Sequence, residues 1–278
     1  MKRPLHDPAW VRWTLTLLAI GVLMVLVVIP VVNVFWQALA GGLGVYWHSL
    51  IADGDTRHAI LLTLAVAPVA VALNIVFGLA AAWAIARFRF PGRTVLLSLI
   101  DLPFAVSPVV AGLMFVLLFG MSGYLGHWLA AMGIRVIFAV PGLIIATTFV
   151  TLPFIARELI PLMEALGEDE ELAALSLGAN GWQIFRWVTM PNIQWGLLYG
   201  VILCNARAMG EFGAVSVVSG HVAGATDTMP LRVEKLMMEY NTPGAFAVAS
   251  VLTLLAGVTL LVKVAVERKL REQKSETV

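Results

Sequence analysis

Residues 59–85, AILLTLAVAPVAVALNIVFGLAAAWAI, carry no charged side chain. About 20 predominantly apolar residues are what an α-helix needs to cross the hydrocarbon core of a bilayer. Lipid offers no hydrogen-bond partner to an open backbone, so a single segment of this length can cross only as a helix. Five further runs meet the same requirement: Trp13 to Leu39, Ile100 to Phe119, Val136 to Ile155, Trp195 to Val218 and Ala245 to Val266. The third run carries Asp101, Pro103 and Pro108, which predicts a broken or kinked helix that faces protein rather than lipid. The expected fold is all-α, a polytopic helical bundle of about six transmembrane helices.

Composition agrees. Of the 278 residues, 60% are hydrophobic and only 13% charged, far from the averages of soluble domains. The net charge of +1 gives no reason to expect a nucleic-acid partner; the partner that composition demands is membrane lipid. Cys204 is the single cysteine and lies in an apolar run, which excludes an intramolecular disulfide. The five histidines are scattered without metal-binding spacing, so no metal is expected.

The basic N-terminus precedes an apolar run about twice the usual length of a signal-peptide core, and it reads as an uncleaved first helix. Lys and Arg gather on alternate connections. One side holds Lys2, Arg3, Arg12, Arg87, Arg89, Arg93, Arg157, Arg186, Lys263, Arg268, Lys269, Arg271 and Lys274, and the other holds Arg57, Arg135, Arg232 and Lys235. The positive-inside rule then predicts that both termini are cytoplasmic. The expected organisation is an N-terminal tail over 1–12, a membrane domain over 13–266 and a C-terminal tail over 267–278.

A cytoplasmic connection of about 156–192 is too long for a simple turn. Glu168, Asp169, Glu170 and Glu171 place acid at a helix start, where the helix dipole favours it, and Leu172, Ala173, Ala174, Leu175 and Leu177 follow. Gly178 can supply a sharp turn, and a second short helix over about Trp182 to Val188 is expected to end before Pro191. An amphipathic hairpin lying on the bilayer is the alternative, but such helices are Lys/Arg-rich and this one opens on four acids.

The stretch from Glu171 to Ala179, closed by Met190-Pro191, resembles the EAA loop of ABC importer permeases, with Leu172 at the usual acidic position and Glu171 beside it. The segments 90–93, 101–113, 205–214 and 240–244 are similar to sulfate/thiosulfate importer permeases of the CysW type, and 207–214 also resembles molybdate permeases. The resemblance implies a type I (MetI-like) permease architecture in a bacterial inner membrane, and an ATPase coupling loop that includes Glu170, Glu171, Ala173, Ala174, Gly178, Ala179 and Pro191. It also implies cytoplasmic ATPase subunits holding ATP and Mg, a second related permease subunit, and a periplasmic sulfate/thiosulfate-binding protein.

Arg207 and Glu211 are charges deep within the fifth run, at a spacing that shares one helix face. Two readings stand open: Arg207 lowers the barrier for an oxyanion, or the two residues neutralise each other and order the bundle. Ala206 and Gly210 have the small-xxx-small spacing of close helix contacts, with Gly213 nearby. Asp101 suits a local cap or salt bridge better than an ion site, and Ser107 belongs with it as a candidate path or packing residue. The sequence contains no phosphate-binding G-x-x-x-x-G-K-[ST] loop, so an energy-driven transporter built on it needs a separate engine. No repeat suggests a secondary transporter, and no nucleophile or paired-carboxylate set suggests an intramembrane enzyme.

Overall fold

The computed structural model describes residues 9–276, with side chains described over 10–266. Lys2 and Arg3 lie outside the described residues, as do the side chains of Arg268, Lys269, Arg271 and Lys274.

Four helices are long and apolar enough to cross a membrane: α1 (Trp10–Leu39), α3 (Gly54–Arg87), α7 (Val140–Leu166) and α12, whose apolar part is Thr242–Val266. A short helical segment, α2, covers 43–52 between the first two. The third and fifth runs form bent pairs. Helix α4 (Arg93–Ala105) meets α5 (Pro108–Phe119) at 110°, and α9 (Gly181–Met209) meets α10 (Gly213–Ser219) at 53°. Short helices α6 (Gly126–Ala131), α8 (Asp169–Ser176) and α11 (Met229–Met238) complete the set among the described residues.

Prolines explain much of the local geometry. Pro108 opens α5, where its missing N–H costs nothing, and the residues before it leave the helical region. Pro30 and Pro191 do not break their helices. Each follows a π turn, Met24–Val28 and Phe185–Thr189, in which Ile29 N–H reaches Met24 O and Met190 N–H reaches Phe185 O. The wider turn absorbs the carbonyl that the ring displaces. The second short helix therefore does not end before Pro191, as the sequence suggests; it runs through the π turn into the fifth span. Helix α7 likewise continues past Ile155 to Leu166, so the connection expected over 156–192 leaves the bundle only at Gly167. The backbone of α12 stays helical to Glu276 rather than ending at 266.

The core is built on α3 against α7. Ala82, Ile85, Ile155, Leu159 and Met163 are buried there, and a methyl added at Gly78 would stand 2.9 Å from Ile155. A polar knot fixes the register: Asn74 donates from Nδ2 to Thr151 Oγ1 at 2.7 Å, and Cys204 of α9 packs beside it. Such bonds between helices contribute modestly in lipid but hold alignment.

At the Asp53 end of α3, the loop 220–228 and α11 cover the helix start. The Asp53 carboxylate accepts from Thr56 Oγ1 at 2.6 Å and pairs with buried Arg232 of α11. Burial alone would raise the Asp53 carboxyl, but the Thr56 hydroxyl and Arg232 hold it below the ordinary range. Asp227 is the opposite case. It is fully buried with neither oxygen hydrogen-bonded, and desolvation pushes its carboxyl up against the pull of Lys235, Arg232 and His221. The folded state thus favours the protonated form, so this residue's penalty grows as pH rises from the ordinary carboxylate range through its raised value. Asp227→Asn should raise the thermal midpoint of the purified protein at pH 8 and leave it little changed at pH 4; an equal gain at both would contradict the assignment.

Candidate functional site

The two broken spans meet at their breaks. A methyl at Gly213, the first residue of α10, would stand 2.8 Å from Pro108 of α5, and one at Gly112 would meet Ala214 O at the same distance. The helices touch here because neither glycine carries a side chain. Gly210 makes no such contact within this chain: the nearest atoms to its missing methyl belong to its own helix, at 3.9 Å or more. Within this chain the close helix contacts run through Gly112 and Gly213, and Gly210 lies exposed.

Glu211 sits inside this junction with its side chain 1% exposed, while Arg207 is 35% exposed. Arg207 Nη1 lies 2.6 Å from Glu211 Oε2. Glu211 Oε1 accepts from Ala214 N–H at 2.9 Å, satisfying a free donor at the start of α10. The acid therefore both neutralises Arg207 and closes a backbone break, a role that spacing alone did not reveal because the run reads as one uninterrupted helix. Ser107 is exposed at the other break and makes no side-chain cap. Asp101 forms a two-pronged salt bridge with Arg157 of α7, at 2.7 and 3.0 Å.

At the Arg87 end of α3, residues 167–189 form a projection. Helix α8 begins with acids at its positive dipole end and closes in a Schellman motif, Gly178 N–H to Leu175 O at 2.9 Å and Ala179 N–H to Ala174 O at 3.1 Å. Gly178 takes φ +87°, a conformation that a side chain resists. Asn180 and Gln183 then exchange bonds as a capping box that starts α9.

Two acids tie this projection to the bundle. Glu171 accepts from Arg87 Nε at 2.8 Å, from Arg87 Nη2 at 3.1 Å and from Thr189 Oγ1 at 2.8 Å. Arg87 also donates to Met163 O at 2.8 Å, and Glu170 accepts from Asn192. Arg87 and Glu171 side chains are 8% and 17% exposed. An aromatic ladder runs beside them, Trp182 to Phe185 at 5.7 Å and Phe185 to Trp83 at 5.2 Å between centroids. The segment also carries exposed apolar side chains: Leu172, Leu175, Leu177 and Trp182 are exposed, along with Ala173 and Gly178. Ala174 and Ala179 are half-buried, and Pro191 lies in the helix beyond. The tie to Arg87, with the two residues far apart in sequence, was not visible in the sequence.

A bundle of apolar spans with two broken helices joined at their breaks, and an acid-anchored two-helix projection at one end, has the build of a membrane transport permease. Residues 74–272 match the family described as binding-protein-dependent transport system inner membrane component, and the chain belongs to that family. It is 51% identical over 265 residues to the sulfate transport system permease protein CysW of Synechocystis, covering 95% of this chain and 96% of that one. It is 48% identical to CysW of Escherichia coli K12, covering 98% and 92%, and 42% identical to CysT of the same organism, covering 74% of each. Its fold is similar to that of a bacterial ABC transporter involved in alginate import, with TM-score 0.76 at 15% identity over 95% of this chain and 96% of that one.

Glu211→Ala removes both the cap on α10 and the partner of Arg207, and should destabilise the protein by about 2–3 kcal/mol. Glu211→Gln keeps an accepting oxygen and should cost about half as much, read as thermal midpoints of the detergent-purified protein.

Proposed function

We propose that the chain forms half of the membrane path of an ATP-driven importer of sulfate and thiosulfate, and is powered by a separate ATPase that docks on residues 167–189. The observation that carries the docking is the orientation of the projection. Glu171 is held to the bundle by Arg87 and Thr189, and Glu170 by Asn192, while Leu172, Leu175, Leu177 and Trp182 stand exposed. Several large exposed apolar side chains on a short segment, with a turn at Gly178 free of bulk, fit a protein partner. The engine is placed on that partner, where ATP and Mg would be held, because this sequence has no phosphate-binding loop.

The half-identity to CysW proteins over nearly the whole chain supports the cargo, and the similarity to CysT supports a second, related permease beside this one. A solved complex of the alginate transporter contains a ligand-bound periplasmic protein, which supports delivery by a soluble binding protein here. With the Arg87 end of α3 and the projection on the cytoplasmic side, the Asp53 end faces the periplasm and both termini are cytoplasmic, an orientation that the distribution of Lys and Arg supports.

A dianion cannot shed its water in lipid without compensation, since an unpaired buried charge is prohibitively costly. The junction of the broken spans is where compensation is available. Glu211 holds one edge of the Arg207 guanidinium, and the part of Arg207 that stays exposed can face the path with further donors. Movement of the docked ATPase would open this junction to one side and then the other.

Labelled sulfate uptake by proteoliposomes holding this chain, its related permease, the ATPase and the binding protein tests the reading. Uptake should require ATP, and the purified chain alone should hydrolyse none. Arg207→Gln should leave assembly intact and lower uptake by at least about ten-fold, one lost charge-assisted contact or more; lost assembly would make Arg207 a packing residue. Stronger competition by molybdate than by thiosulfate would reassign the cargo.

A further inference from the structure

We propose that α3 is the strut carrying motion of the docked projection to α11 at the far end of the bundle, with Arg87–Glu171 as its input tie and Asp53–Arg232 as its output tie. This rests on the docking proposed above. Helix α3 has 34 residues and so spans about 51 Å at the helical rise. Its last residue is Arg87, fixed by three hydrogen bonds to α8 and the end of α7. Its cap is Asp53, tied to Thr56 and to Arg232 of α11. Arg232 Nε also reaches Thr56 Oγ1 at 3.3 Å, so the guanidinium grips α3 itself as well as its cap.

The covalent route from the projection runs through α9, and it is the softer one. It contains the π turn over Phe185–Thr189 directly before Pro191, and it ends in the break at 210–212. Both are places where the hydrogen-bond ladder is locally loosened. Helix α3 is uninterrupted between its ties despite Pro68. The Asn74–Thr151 bond and the close approach at Gly78 bind it to α7, so the two move as one body. The Trp83–Phe185 contact is a second attachment of the projection to the same end of α3. Arg87 and Arg232 are thus positioning residues, acting on transport through the elements they join.

The test uses the full complex in proteoliposomes and reads labelled sulfate taken up per ATP hydrolysed. Arg87→Gln should lower this ratio about ten-fold, the scale of a coupling contact, with subunit ratios in the purified complex unchanged. Arg87→Lys, which keeps a charge opposite Glu171, should recover most of it. Arg232→Met should lower the ratio from the other end. A second readout is independent of cargo: Met238→Cys on α11 is exposed, and ATP should change its rate of thiol alkylation in an otherwise unaltered chain but not together with Arg87→Gln. An unchanged ratio in both single variants, or an ATP response that survives Arg87→Gln, would assign the motion to α9 and overturn the strut. Uptake and hydrolysis falling in equal proportion would make Arg87 structural and overturn it too. Failure of the ATPase to co-purify with the unaltered chain would instead refute the docking reading.

Discussion

Lipid offers no hydrogen bond to a backbone, and every irregularity of this bundle is shaped by that fact. A helix may break inside the membrane only where protein satisfies what the break exposes. The two breaks therefore lie against each other, through Pro108 and Gly213, and Glu211 reaches across one of them to the N–H of Ala214. Pro30 and Pro191, which do not break their helices, each follow a π turn that keeps the backbone paired at the cost of one widened turn. The same constraint that makes the fold so regular brings its two breaks together, and the buried Glu211 with its partner Arg207 lies at that junction.

Electrostatics divides the labour at the other end. Helix α8 opens on four acids, more than a helix dipole needs. Glu170 and Glu171 have further partners: one takes Asn192, the other Arg87 and Thr189. Glu171 holds its guanidinium in a two-pronged geometry that fixes direction as well as distance. Anchoring the acids inward is what leaves Leu172, Leu175 and Leu177 on the outer face. Leu172 occupies the position at which related loops carry an acid, and its exposure is explained by the tie one residue earlier.

Asp227 stands apart from both regions. A fully buried carboxyl with no hydrogen bond lowers the stability of the loop that covers Asp53, and the surrounding cations offset only part of that cost.

Sequence alone determined the number of apolar runs, the all-α class and the break between Pro103 and Pro108, because span length is a local property and two prolines five residues apart leave little of the backbone ladder to repair. It determined the start of α8 and its Gly178 turn for the same reason: caps and turns are made by neighbours in the chain. The break at 210–212 was hidden because no proline marks it and apolar residues continue on both sides of it to Val218, so the run has the length and composition of one span; its position becomes clear from the packing of Gly213 against Pro108. The partners of Arg87, Arg157 and Arg232 lie 84, 56 and 179 positions away along the chain. No periodicity encodes such pairings, so only the packing of one helix on another could decide which charges meet.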